Sequence, residues 1–198
     1  MRLRKWIVCW WILVSPVCIA ATTDGVGHAA VAEGEPGPVL EYKVKAAFLY
    51  NFAKLVQWPA TAFPKAETPL TIGVLGQDPF GADLDKTIAG KTIEGRHLAV
   101  ERFLHLQDVK GCHLLFICAS EKSQLPEILA KLRGQSVLTV GETAQFAELG
   151  GMIQLVKDHD RIRFAVNLDA TKRAQLTISS KLLRLATIVK PITPPGGK

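Results

Sequence analysis

Five histidines, four cysteines and scattered carboxylates are the side chains of this 198-residue sequence that could do chemistry. His28, His97, His105, His113 and His159 show no His-Glu-x-x-His or comparable spacing, so no pair of imidazoles is set on one helix face for a metal. Cys112 beside His113 joins a nucleophile to a base in sequence, but neighbours on a strand point to opposite faces and their side chains diverge. Gly73, Gly76 and Gly81 follow the spacing G-x-x-G-x-x-x-x-G. That is neither the dinucleotide fingerprint nor a phosphate-binding loop, and it reads as turn glycines. Ser179-Ser180-Lys181 lacks the Ser-x-x-Lys spacing of acylating serine enzymes. His159 lies between Asp158 and Asp160 on a polar turn. No catalytic centre, metal or cofactor is expected from these residues. That leaves binding or regulation, with an enzyme of unrecognised site as a rival.

The elements that must position these residues follow from periodicity. An apolar share of 48% with 21% charged residues gives enough core-forming side chains for one globular domain and too little charge for a disordered chain. Glu41 to Trp58 is helical, with Val44, Phe48, Phe52 and Leu55 on one stripe, Leu49 and Val56 beside it, and Pro59 as its end. Leu70–Leu75, His97–Phe103, His113–Cys118 and Ser136–Val140 read as strands, alternating with helices over Pro79–Ala89 and Ser123–Leu132. This alternation predicts a three-layer α/β fold with a mostly parallel sheet. Met152–Val156 and Ile162–Val166, split by a polar turn, predict an antiparallel hairpin at the C-terminal end. Asp169 is expected to cap one final helix that buries Leu176, Leu182, Leu183, Ala186 and Val189.

The first residues predict export. Arg2, Arg4 and Lys5 precede an apolar run from Trp6 to about Ala21, and small residues follow, the order of a cleaved signal peptide. Residues 1–20 are its expected extent, with Ala30-Val31-Ala32 as a later cleavage site. Residues 21–40 then read as a flexible lead-in, 41–190 as the domain and 191–198 as a disordered tail. Cleavage lowers the formal charge from +6 to +3, a field too weak to suggest a nucleic-acid partner. It also removes Cys9 and Cys18. Cys112 and Cys118 remain, about 20 Å apart if they end one strand, too far for an internal bond. They read as buried apolar residues, with an intermolecular bond as the alternative.

Several segments in order resemble the YfiR family of periplasmic regulatory proteins. They are Val44-Lys45-Ala46-Ala47-Phe48-Leu49-Tyr50-Asn51-Phe52-Ala53-Lys54 with Trp58-Pro59, Ile72-Gly73-Val74-Leu75-Gly76 with Asp78-Pro79-Phe80-Gly81, Cys112 to Ile117, Val137 to Val140, Gly150 to Ile153, Arg161 to Phe164 with Asn167, and Leu182-Leu183 with Leu185-Ala186. Together they span about Glu41 to Val189.

The resemblance implies a dimer-forming α/β domain in the Gram-negative periplasm. Such a protein binds the sensor domain of an inner-membrane diguanylate cyclase and holds it inactive, lowering cyclic-di-GMP and biofilm formation. An outer-membrane lipoprotein can sequester the repressor. It also points to a groove between the end of the first helix and the start of the last, grouping Asn51, Lys54, Gln57 and Trp58 with Ser179, Ser180 and Arg184. Trp58 has two readings there, a binding hot spot or a helix-end core residue. Gly150 and Gly151 are expected to shape a tight turn before an edge strand, and Asn167 to brace the turn into the last helix. Some relatives carry a cysteine at the position of Gly73, placed to pair with that of Cys112, and a second pair in the region of Ala147 to Leu155. This chain has neither partner, so redox control through an intramolecular disulfide at Cys112 is not expected. A periplasmic small-molecule-binding module, with an apolar or aromatic ligand in the same groove, is the alternative function.

Overall fold

The computed structural model describes residues 38–192, with side chains from Leu40 onward. The expected signal peptide, nearly all of the lead-in and the last six residues of the tail lie outside that range.

Helix α1 (Pro38–Leu55) opens the described chain with proline at its first position, where a missing N–H costs nothing. It buries Ala46, Leu49, Phe52 and Ala53 completely. Of the expected stripe, Leu49, Phe52 and Val56 are buried and Phe48 and Leu55 pack on the core, but Val44 is 38% exposed while Lys45 is 4% exposed. The cause is electrostatic: Lys45 is drawn under the helix by ion pairs with Glu41 and Glu142. The helix also ends at Leu55, three residues before the expected Trp58. Its last carbonyl is taken by the Ser179 amide at 2.9 Å. The next two residues form β1 (Val56–Gln57), antiparallel to β9 (Thr177–Ile178).

The main sheet has eight strands. In chain order they are β2 (Leu70–Leu75), β3 (Thr92–Ile93), β4 (Arg96–Phe103), β5 (Leu114–Ile117), β6 (Leu138–Gly141), β7 (Ile153–Asp158), β8 (Arg161–Val166) and β10 (Thr187–Ile188). Their spatial order is β10-β8-β7-β6-β5-β2-β4-β3. All pairings are parallel except β7 with β8 and β3 with β4. Every residue of β2, β5 and β6 is buried, which is why these strands read as unbroken apolar runs. One face carries Ile72, Val74, Leu114, Phe116, Leu138 and Val140 against α1 and α2 (Ala82–Ile88). The other carries Leu75, Leu115 and Ile117 against Leu125, Ile128, Leu129 and Leu132 of α3 (Leu125–Leu132). The layers are helix, sheet, helix: the α/β architecture expected.

The C-terminal third departs from expectation in two ways. The hairpin β7–β8 forms with Asp158 opposite Arg161, yet it is not outermost, because β10 adds on beyond β8. The single final helix is two short ones, α4 (Leu168–Arg173) and α5 (Ser180–Leu183), separated by β9. Gln175 adopts φ +59, which stops α4, and the pairing of β9 with β1 fixes the next residues as extended. Asn167 rather than Asp169 caps α4, its side chain accepting the Ala170 amide. Leu176 and Leu182 are buried as expected. Leu183, Ala186 and Val189 are half-buried.

Candidate functional site

The two-stranded β1–β9 pair sets the end of α1 beside the start of α5. Its register sets Val56 opposite Ile178 and Gln57 opposite Thr177, so the end of α1 and the start of α5 meet along a seam. Asn51, Lys54, Gln57, Ser180 and Arg184 are exposed there, while Trp58 and Ser179 are half-buried. Ser179 caps α5, its Oγ accepting the Leu182 amide. Two cations, two serine hydroxyls and two amide side chains make this seam polar. Among the described residues neither Lys54 nor Arg184 has an ion-pair partner.

Trp58 is tied on one side and open on the other. Its Nε1–H donates to the His113 carbonyl at 3.0 Å, and the indole packs against the main core. The helix-end core packing is thus present, and the residue is half-buried.

His113, at the entry to β5, is 3% exposed and fully engaged. Its Nδ1 accepts the Thr71 amide at 3.1 Å, which places the proton on Nε2, and Nε2 lies 3.1 Å from the Ala62 carbonyl. The ring stacks on Phe63 at 4.4 Å and 13°, and the Arg96 guanidinium lies 4.0 Å from the same Phe63 ring. Burial first, then the Arg96 charge, hold its pKa below 6.5, against the Ala62 carbonyl. Cys112 and Cys118 are both free and buried. Burial pushes each thiol up to about 12, so neither supplies thiolate near neutrality.

Asn167 is completely buried and bridges three segments. Its Nδ2 donates to the Ala147 carbonyl at 2.7 Å, its Oδ1 accepts from Ala170, and its own amide donates to Met152. Gly150 has φ +112, a backbone that side chains rarely adopt. A Cβ at Gly151 would come within 2.2 Å of the Phe146 ring, and one at Gly141 within 2.4 Å. Phe146, wholly buried, thus explains Gly151, and its isolated position in the sequence gave no period to reveal it.

Two polar clusters were not anticipated. Glu142 pairs with Lys45 and accepts from the Tyr42 hydroxyl, while Glu41 pairs with Lys45 and Lys157. Burial and the Glu142 charge raise the Tyr42 pKa, and the Lys45 contact lowers that of Glu41. The Glu41–Lys45 spacing was the available signal. Arg102 bridges Asp78 and Asp85 and reaches the Gly81 carbonyl. Among the described residues no group of three or more His, Cys, Asp or Glu is placed to hold a metal. No described helix is long and apolar enough to cross a membrane.

The arrangement defines an α/β domain whose buried histidine, asparagine and lysine position backbone and helices, with a polar seam on its surface. The chain belongs to the YfiR/HmsC-like family, whose model matches residues 42–187. No curated protein matches it. A solved structure described as a conserved domain protein from Vibrio cholerae O1 biovar El Tor strain N16961 is similar, with TM-score 0.50 and 12% identity over 74% of this chain and 59% of that one. A second, the ABC domain in complex with L-Trp from Streptococcus pneumonia, gives TM-score 0.46 and 12% identity over 61% and 56%. This chain thus spans less than two thirds of either. The Vibrio likeness bears on the fold.

Proposed function

We propose that this protein is a periplasmic, non-enzymatic regulator that binds the sensor domain of an inner-membrane diguanylate cyclase and holds it inactive. The observation that carries the reading is membership of the YfiR/HmsC-like family across residues 42–187. Repression of this kind requires only that the protein prefer one conformation of its partner, and a differential affinity of a few kcal/mol moves such a switch. The seam of Asn51, Lys54, Gln57, Trp58, Ser179, Ser180 and Arg184 is the proposed contact surface, with Trp58 as its anchor. A homodimer and an outer-membrane lipoprotein antagonist complete the proposal.

The test is cellular cyclic-di-GMP after deletion of the gene. The expected result is a rise that the chain with its leader reverses and the chain without it does not. An unchanged level while the protein is expressed in the parent strain overturns the reading.

A further inference from the structure

One histidine holds a whole segment of the surface. Residues 58–68 run across the entry to β5 and are fastened by Trp58 to the His113 carbonyl, by Ala62 to His113 Nε2, and by Phe63 stacked on the imidazole. Arg96 from β4 closes over Phe63 and donates to the carbonyls of Lys65, Ala66 and Thr68. The imidazole itself meets Ala62 and Phe63, whereas residues 65–68 are tied to β4 by the bonds of Arg96. The segment begins at Trp58, directly after β1, so its position sets one wall of the polar seam.

We propose that His113 is a proton-operated latch: its neutral ring holds residues 58–63 against the sheet, and its protonation loosens them next to the seam at Trp58. The geometry admits only the neutral ring. Nδ1 faces the Thr71 N–H, so a proton there would set two donors against each other. The surrounding groups offer an imidazolium no counter-charge. From β2 comes the Thr71 amide, and from segment 58–68 the Ala62 carbonyl and the Trp58 and Phe63 rings. The charge acting on the ring is that of Arg96 from β4, which opposes protonation.

The sign follows from linkage. The closed state takes a proton at His113 less readily than the freed imidazole, which titrates near its ordinary value of about 6.5. The latch is therefore complete above that pH and weakens below it. The ratio of open to closed segments rises between pH 7.5 and 5.0, by up to about thirtyfold. The consequence for repression rests on the proposed function; the opening of the segment does not.

Amide hydrogen exchange on the whole chain tests the latch, with rates corrected for intrinsic pH dependence. In the closed state the Thr71 amide donates to His113 Nδ1, and those of Ala62 and Phe63 are held in the turn that rests on the ring. Their protection should fall from pH 7.5 to 5.0, by up to about thirtyfold, with that of α3 unchanged. His113→Asn keeps an acceptor near the Nδ1 position and cannot take the proton, so its profile should be flat. Should that variant not fold, the wild-type His113 ring resonances serve instead: their titration midpoint must coincide with the loss of protection. Flat protection in wild type, or the same fall in His113→Asn, overturns the latch. In cells, external pH 5.5 should raise cyclic-di-GMP in wild type and not in His113→Asn. Opening without that response overturns the coupling. No effect of gene deletion at either pH overturns the repressor reading and leaves the latch standing.

Discussion

Gly73 faces α3 from the middle of β2, where an ideal Cβ would lie 3.3 Å from the Cβ of Cys112. That separation is close to the mean of about 3.8 Å found across disulfides. Gly73→Cys should therefore bond to Cys112, provided that Leu115 and Phe103, each 2.9 Å from the same point, give by a few tenths of an ångström. Closing the intervening loop should stabilise the oxidised variant by about 2–4 kcal/mol. Thiol titration of the denatured protein and urea unfolding with and without reductant measure both effects. A variant that keeps its thiols free under oxidant, or is no more stable oxidised than reduced, contradicts the geometry. Without that substitution Cys112 is a small apolar side chain of the α3 core, whose burial suppresses ionisation.

At the scale of elements, the N-terminal half of α1 is pinned to the end of β6 by Lys45, which is paired with Glu41 and Glu142. Glu41 also pairs with Lys157 of the β7–β8 hairpin. Removing the lysine leaves Glu142, whose side chain is 13% exposed, with only the Tyr42 hydroxyl. Lys45→Met should therefore cost about 3–5 kcal/mol, and adding Glu142→Gln should restore more than half, as read by urea unfolding at pH 7. The depressed Glu41 pKa adds a pH signature. Its stabilisation is complete above about 4.5 and is lost as pH falls through the lower folded value, so wild type should lose stability across that window faster than Lys45→Met. The elements differed in how far the sequence disclosed them. Buried strands such as LTIGVL and LLFI declare themselves because both faces are covered. The ends of α1 and the break between α4 and α5 depend on the β1–β9 pairing, a contact between residues some 120 apart that no local period encodes.

At the scale of the molecule, the mostly parallel sheet and the three layers were legible because alternating strands and helices have few ways to pack. The polar seam entered through the family resemblance, since Gln57 and Thr177 are neighbours only after folding. What joins the seam to export is the placement of tryptophan. The chain has four, Trp6, Trp10, Trp11 and Trp58, and the first three lie in the proposed leader. A form cleaved after Ala20 or Ala32 would keep Trp58 alone, half-buried at the seam and bonded to the His113 carbonyl. Intact-mass measurement of the exported protein should show a chain beginning at Ala21 or Glu33. Its emission would then report a single indole, and adding the purified sensor domain should shift that emission to the blue as the exposed part of the ring leaves water. Trp58→Phe should abolish the signal and, if the ring is an anchor, weaken binding by about 2 kcal/mol or more. Emission that does not change on a binding event seen calorimetrically would place the partner on another face and leave Trp58 as a structural tie between α1 and β5.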